Sequence, residues 1–371
     1  SLAGITVGFP FPYIILSRAD SLETRLESIA LSSVFAQRKR RRAAKKKAGK
    51  TKKEKRILVI NPGSTSLKTA LYEGETCRHA VRLDRTVADP GDPDGRRRAA
   101  DKLAGEIETV IGKWKQGKIK AIAARGGFLP RPSGGLPGGI YLIAEKENQK
   151  IVCSDDIVSG SLNYSGEKHP GNISIPAAAR LAAALKIPAY TVDPVIVDEF
   201  KHLARISGYR GITRKSIAHI LSVRAAGEKA AGQIGRPLSD LNLVVAHLGG
   251  GITIAALRKG RVVDNNIALL GEGPFTPCRA GQLPTEAVID LCFSGKFDRE
   301  ELKEELSRRG GLISYLDEYR IEKILERIDG GDKKATRVLD AMIYQIAKEI
   351  GKMFIAAGSD VEAVILTGGI A

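Results

Sequence analysis

Three glycine-bearing turns, each directly after an apolar run, hold many of the side chains able to do chemistry. Asn61-Pro62-Gly63-Ser64-Thr65-Ser66-Leu67-Lys68 follows the strand-like ILVIN. Gly63 permits close backbone approach, the three hydroxyls can donate to phosphate oxygens, and Lys68 adds a positive charge. His247-Leu248-Gly249-Gly250-Gly251 follows LVVA and offers three successive glycine N–H groups that can line an anion. Thr367-Gly368-Gly369 follows AVIL. Ser/Gly turns are common, so any one of these is a weak phosphate motif, but three of them, each after an apolar strand, carry more. By contrast, Gly112-Lys113-Trp114-Lys115-Gln116-Gly117-Lys118 has P-loop spacing, but Ile119 stands where a Ser or Thr must hold Mg²⁺. It also follows a helix and precedes a strand, the reverse of the required order, and reads as a solvated helix end.

The elements that must position these turns alternate between strand and helix, giving an α/β protein. ILVIN (57–61) and LKTALYEG form two strands, a helix covers roughly 96–114, and strand-like IKAIAA leads into the glycine-rich segment Gly126–Gly139. An Ala-rich helix near 176–185 precedes the strand AYTVD. Helical signals follow over 214–234, then the strand LVVAHLGGG and a hairpin through GITIAALRKGRVV. Helices are expected in 284–295, 299–308 and 333–357, the last with Val338, Met342, Ile346, Ile350, Met353 and Phe354 at three- and four-residue spacing and Gly358 as its stop. AVILT closes the chain. Segment 57–74, ILVINPGSTSLKTALYEG, echoes 243–260, LVVAHLGGGITIAALRKG, in strand, turn, second strand and terminal Gly. The echo favours a duplicated domain with a ligand cleft between its copies.

The chain has 371 residues, 43% apolar and 27% charged, enough for two domains with cores and incompatible with a disordered or fibrous protein. Cys77, Cys153, Cys278 and Cys292 lack C-x-x-C spacing, which argues against a disulfide scaffold or zinc ribbon and for reduced thiols in a cytoplasmic protein. No apolar run reaches the roughly 18 residues of a membrane span, and Phe9–Leu16, broken by Pro10 and Pro12, lacks the cationic lead of a signal peptide. The net charge of +17 is concentrated in Arg38–Arg56, where 13 Lys/Arg face the single acid Glu54. That run reads as disordered. It could clamp a nucleic acid, but no aromatic residue is interleaved to stack on bases, so a solvated linker is favoured and nucleic acid is not expected as a partner.

Beyond the turns, longer segments resemble the acetate and butyrate kinases, within the acetate kinase/sugar kinase/Hsp70/actin superfamily. INPGSTSLKTAL, ARGGFLPRPSGGLPGGIY, IPAYTVDPVIVDEF, ARISGYRGITRKSIAH, VVAHLGGGI, DNNIALLGEGPFTPCRAG, VIDLCFSGKF and VILTGGIA occur in family order across 56–371, closest to the butyrate kinase branch. The resemblance implies two duplicated ribonuclease-H-like (actin-like ATPase) domains with an interdomain active-site cleft. The expected divisions are a disordered basic extension over 1–55, one domain over 56–198 and a second over 199–371. It implies phosphorylation of a short-chain carboxylate by direct in-line transfer from ATP, butanoate plus ATP giving butanoyl phosphate plus ADP. Acetate, propionate or branched acids are the alternative acceptors. ATP/ADP and Mg²⁺ are the implied cofactors, and a homo-oligomer the implied assembly.

The same resemblance distributes roles. Asn61, Gly63, Ser64, Ser66 and Lys68 form the first phosphate turn, with Asn61 near Mg²⁺. Asp193 matches an active-site aspartate, and its alternative is a strand-end cap before Pro194. His219 matches a histidine on the transferred phosphoryl group, where an imidazole can donate to equatorial oxygens. Arg279 matches an arginine for transition-state charge, and Arg125 is the carboxylate-clamp candidate. His247, Gly249, Gly250, Gly251, Gly368 and Gly369 fall to the nucleotide, and His169 and Asn172 of HPGN to the acyl side, where an ordinary packing role is equally open. Two departures stand out locally: AHILS lacks the second histidine of acetate kinases, and Cys278 replaces a common acidic residue. After Gly368-Gly369 the family opens a helix whose N-terminal amides help hold the nucleotide, and later supplies a glutamate associated with Mg²⁺. The sequence ends at Ala371, so the second domain reads as C-terminally incomplete, and an inactive nucleotide-binding fragment stands as the alternative.

Overall fold

The computed structural model describes residues 4–6, 13–15, 55–63, 66–84, 87–114, 117–130, 135–147, 150–166, 168–358 and 360–371. The chain divides between Val197 and Asp198 into two compact units, with Ile220–Ala225 joining the first.

The first unit is built on a seven-stranded sheet. Its strands are β3 (Arg56–Pro62), β4 (Leu67–Glu73), β5 (Thr76–Leu83), β6 (Ala121–Arg125), β7 (Ile140–Glu147), β8 (Lys150–Cys153) and β9 (Ala189–Val192), in the order β5-β4-β3-β6-β9-β7-β8. β3, β6 and β9 are parallel neighbours, and β4 and β5 add antiparallel strands to one side. Ile57–Ile60 are buried to 2% exposure or less, the continuous apolar run expected of a strand covered on both faces. Helices α1 (Pro93–Gly112), α2 (Asp155–Leu162) and α3 (Gly171–Leu185) belong to this unit. α3 packs its alanine-rich face on β6 and on α1.

The second unit repeats the plan. β10 (Asn242–His247), β11 (Thr253–Arg258), β12 (Arg261–Asn265) and β13 (Ala363–Thr367) take the order β12-β11-β10-β13, matching β5-β4-β3-β6 of the first unit. β10 is antiparallel to β11 and parallel to β13, so the sequence echo corresponds to β3–β4 and β10–β11. The unit's helices are α4 (His202–Arg205), most of α5 (Ile220–Ile234), α6 (Thr285–Phe293), α7 (Arg299–Arg308), α8 (Leu312–Leu316), α9 (Ile321–Asp329) and α10 (Lys333–Ala357). α10 lays Leu339, Met342, Ile346 and Met353 against Val244, Ile254 and Ala256 of the sheet. Asp332 caps its start by accepting from the Lys334 and Ala335 N–H groups, and Gly358 ends it.

Two expectations need correction. The extension over 1–55 is not wholly without structure: β1 (Gly4–Thr6) pairs with β2 (Tyr13–Ile15), and β2 runs parallel to β13. β2 thus supplies backbone partners to β13 on the side away from β10. The basic run up to Glu54 lies outside the described residues. The helix expected from 214 begins only at Ile220. Arg214 is drawn away by Glu272 and Asp264, and the Ser216 hydroxyl donates to Asn265 Oδ1 (2.9 Å), so side-chain bonding overrides the helical periodicity. No helix among the described residues is long and apolar enough to cross a membrane.

Candidate active site

In the first unit, parallel pairing brings three chemically useful residues to one end of the sheet. Ile60 is level with Ala124, and Arg125 with Val192, so Asn61, Arg125 and Asp193 occur at the carboxyl ends of β3, β6 and β9. Such ends are where open α/β sheets bind ligands. The Gly63 N–H donates to the Ser66 carbonyl (2.8 Å), closing the β3–β4 turn, and Lys68 lies opposite Asn61 in the ladder. Ser66 is buried; Ser64 lies outside the described residues.

Arg125 donates from Nη1 to Asn61 Oδ1 at 3.4 Å and forms no ion pair among the described residues. Burial pulls its pKa below the usual arginine range, so the site holds a partly desolvated cation with no protein carboxylate against it among the described residues. Asp193 is held at φ 41°, a conformation rarely adopted outside glycine. Its backbone N–H donates to the Gly139 carbonyl (2.9 Å) and its Oδ1 accepts from the Gly139 N–H (2.7 Å). Arg224 Nε, from the first turns of α5, stands 3.6 Å from that Oδ1. The strand-end cap considered for Asp193 is therefore real, but it is made in a strained conformation beside a cation, as functional positions often are.

His169 and Asn172 start α3. The Gly171 N–H donates to His169 Nδ1 (3.0 Å), and the ring meets Phe128 edge-on with centroids 5.6 Å apart. Asn172 is fully buried, accepting from the Phe128 N–H (2.6 Å) and donating to Asp89 Oδ2 (2.8 Å). With both ends of its amide committed, Asn172 acts as a brace rather than a ligand, and of the HPGN pair only His169 remains partly exposed.

The second unit gathers a different set. His247 and Thr367 end the parallel strands β10 and β13 level with each other. The turns that follow are laced by Leu248 N–H to the Thr367 carbonyl (2.7 Å) and Ile370 N–H to the Leu248 carbonyl (3.1 Å), fixing Gly249–Gly251 beside Gly368-Gly369. The His219 and His247 rings lie 4.6 Å apart. Thr253 Oγ1 accepts from the His219 N–H (3.2 Å) and bonds Nδ1 (2.8 Å). Thr276 Oγ1 donates to the Gly250 carbonyl (2.9 Å) and accepts from the Arg279 N–H (3.1 Å), tying the arginine's segment to the glycine turn. A Cβ on Gly251 would stand 2.6 Å from Arg279 Nη1 and 3.2 Å from His219 Cε1, so a side chain here would displace the arginine's tip from the turn. Burial lowers the pKa of Arg279, which also forms no ion pair among the described residues, and raises that of the neighbouring Cys278 thiol.

Every predicted site residue that is described therefore falls into one of two groups: Asn61, Gly63, Ser66, Lys68, Arg125, His169, Asn172 and Asp193 in the first unit, and His219, His247, Gly249–Gly251, Arg279 and Gly368-Gly369 in the second. Sequence reasoning missed Asp89, Arg96, Arg224, Thr253 and Thr276. The run DPGDPDG held a turn signal at Asp89, but nothing in the spacing marked the others.

No cluster of three His, Cys, Asp or Glu able to hold a metal occurs among the described residues. Mg²⁺ is bound through one or two carboxylates together with substrate phosphates. The Asp193 carboxylate and the Asn61 amide oxygen, at the carboxyl ends of β9 and β3 on either side of β6, are oxygen donors of the kind that ion takes.

Two sheets of matching strand order, each ending in a turn suited to phosphate, define an actin-like ATPase fold. Porphyromonas gingivalis acetate kinase superposes with a TM-score of 0.65 at 18% identity, covering 85% of this chain and 83% of that one. A propionate kinase from Francisella tularensis gives 0.58 at 18% identity, covering 85% and 84%. Residues 206–371 match the acetokinase family. Over 317 residues the chain is 41% identical to a probable butyrate kinase of Listeria monocytogenes serovar 1/2a and 39% identical to one of Listeria innocua serovar 6a, with 85% of both chains covered in each case. The chain belongs to the acetokinase family.

Proposed function

We propose that the protein phosphorylates a short-chain carboxylate with ATP, butanoate being the preferred acid. The observation that carries this reading is Arg125, a partly desolvated guanidinium at a strand end with no protein carboxylate against it among the described residues. A substrate carboxylate supplies the missing charge, and arginine's planar fork suits it.

The reaction joins two anions, so the protein's work is positioning and charge neutralisation. A carboxylate oxygen attacks the γ-phosphorus, the bond to the β–γ bridging oxygen breaks, and that oxygen leaves with the electron pair on ADP. Arg125 and His169 hold the acid, while Asn61, Gly63, Ser66 and Lys68 border the phosphoryl path. The N–H groups of Gly249–Gly251 and of Gly368-Gly369 hold the nucleotide phosphates, with His247 beside them. His219 and Arg279 take up charge on the transferred group. Asp193, fixed by Gly139 and Arg224, orients the complex. Mg²⁺, held by the nucleotide together with Asn61 and Asp193, would neutralise charge on the β- and γ-phosphates. The reading extends to a cytoplasmic homo-oligomer, supported by Ile343, Tyr344 and Ile355 left exposed on α10.

An acyl-hydroxamate assay with Mg-ATP and acetate, propionate, butyrate or isobutyrate tests the reading. Highest kcat/KM on butyrate or isobutyrate supports it. A preference for acetate or propionate would overturn the butanoate assignment. Nucleotide binding without turnover of any acid would favour an inactive nucleotide-binding fragment.

A further inference from the structure

The most completely buried ionic group of the first unit lies behind the acyl-side residues. Arg96, on the first turn of α1, has no exposed surface; it donates from Nε to Asp89 Oδ1 (2.7 Å) and from Nη2 to Oδ2 (3.2 Å). Its Nη1 donates to the carbonyls of Leu162 (2.8 Å) and Tyr164, where α2 ends. The Asp89 carboxylate also accepts from the Gly91 N–H (2.9 Å), the His169 N–H (3.0 Å) and Asn172 Nδ2 (2.8 Å). Five donors on one carboxylate, with four of the guanidinium's N–H bonds used, make a satisfied network rather than a stray charge.

The network leads to the proposed acyl side. Asp89 holds the His169 backbone and the Asn172 amide; Asn172 holds the Phe128 N–H, three residues beyond Arg125. Gly127 packs so closely on Gly171 and Asn172 that a Cβ there would overlap both. The Ser174 hydroxyl donates to the Arg125 carbonyl. The segments carrying Arg125 and His169 are thereby joined through Asn172, Ser174 and the Gly127–Gly171 contact, and the buried ion pair holds the His169–Asn172 side of that junction. The turn also sets the imidazole's tautomer. The Gly171 N–H can only donate, so His169 Nδ1 must accept, which leaves the ring neutral with its proton on Nε2.

We propose that Asp89 and Arg96 are positioning residues for the acyl substrate, holding the His169–Asn172 turn so that His169 presents Nε2–H as a donor to the carboxylate. The inference rests on the reading of His169 as a substrate-side residue. A buried ion pair is weak evidence for stability, because apolar replacements are often equally stable. Here the pair sets a geometry that apolar residues could not, since both His169 N–H and Asn172 Nδ2 need an acceptor.

The test compares Asp89→Asn, Arg96→Lys and His169→Gln with the wild-type protein. Steady-state kinetics with butyrate and Mg-ATP are run well below each variant's melting temperature, with ¹⁵N spectra of the histidine rings and His169→Gln assigning the His169 signals. Asp89→Asn is expected to raise the butyrate KM about tenfold or more with the ATP KM unchanged, and to shift His169 from the pure Nε2–H pattern towards a mixture. Arg96→Lys, which keeps the charge, is expected to show the same selectivity at smaller size, and decides the case if Asp89→Asn does not fold. If His169→Gln leaves the butyrate KM unchanged, the substrate-side reading of His169 falls and the inference with it. If His169→Gln raises that KM while Asp89→Asn and Arg96→Lys do not, only the inference falls. Equal rises in both KM values for the Asp89 and Arg96 variants, or a wild-type His169 protonated on Nδ1, would also overturn it.

Discussion

The two sheets share a strand order and differ in what they place at the strand ends. In the first, Asn61 lies opposite Lys68; at the same place in the second, His247 lies opposite Thr253. The first sheet's parallel strands end in side chains, Asn61, Arg125 and Asp193, which suit a compact carboxylate and a metal. The second sheet's end in glycine turns whose backbone N–H groups suit a larger polyphosphate. One plan can thus carry two different sets of end groups because β-pairing fixes the strands while the residues just beyond them are free to differ. The cations follow the same division: Arg125 donates to the Asn61 side chain, whereas Arg279 is tied by Thr276 to the backbone of a glycine turn.

Removing Asp193 should break this comparison most severely. Asp193→Asn keeps the shape but loses the charge beside Arg224, and kcat is expected to fall on the order of 10³ with little change in either KM. Next in size, the two arginines should separate the halves: Arg279→Lys is expected to lower kcat about 10², and Arg125→Lys to raise the carboxylate KM about tenfold with the ATP KM unchanged. Identical kinetic signatures from the two would deny the division of labour. Smaller still, Thr253→Val deprives His219 of its hydroxyl partner and is expected to lower kcat about tenfold, with Thr253→Ser restoring most of it.

Much of this architecture is legible in the sequence because it depends on local patterns. ILVIN and LVVAH are short continuous apolar runs that end in glycine turns, as is typical of buried strands, and α10 is a 25-residue helix with Asp332 and Gly358 at its ends. The glycine turns are visible for the same reason. What stays hidden depends on partners remote in the chain: Asp89 meets Asn172 across 83 positions, and His219 meets Thr253 across 34. Asp193 could be read as chemically useful, but its left-handed backbone is imposed by Gly139 on another strand end. Resemblance placed Asn172 on the acyl side with a packing role equally open, because it reports that a residue is needed, not whether it touches substrate or holds a residue that does.

The smallest expected effect is confined to acid and falls on one half only. Burial pushes the Asp89 carboxyl upward, but hydrogen bonds from Arg96, His169, Gly91 and Asn172 outweigh it and hold the pKa below the ordinary value of 3.8. A carboxylate with a lowered folded-state pKa contributes stability that is complete above its unfolded value and is lost as pH falls through the folded one. The His169–Asn172 turn should therefore loosen as pH drops below about 4. The second unit's glycine turns are laced by backbone bonds, Leu248 to Thr367 and Ile370 to Leu248, which do not titrate there. Hydrogen exchange measured from about pH 5 to pH 3, corrected for intrinsic rates, should show protection falling at the Phe128 and His169 amides and holding at Leu248. In Asp89→Asn the first two should be poorly protected at every pH, so the acid step disappears. Parallel loss at all three amides in the wild-type protein would mean that acid acts on the whole chain, and the contrast between side-chain and backbone bracing would not survive.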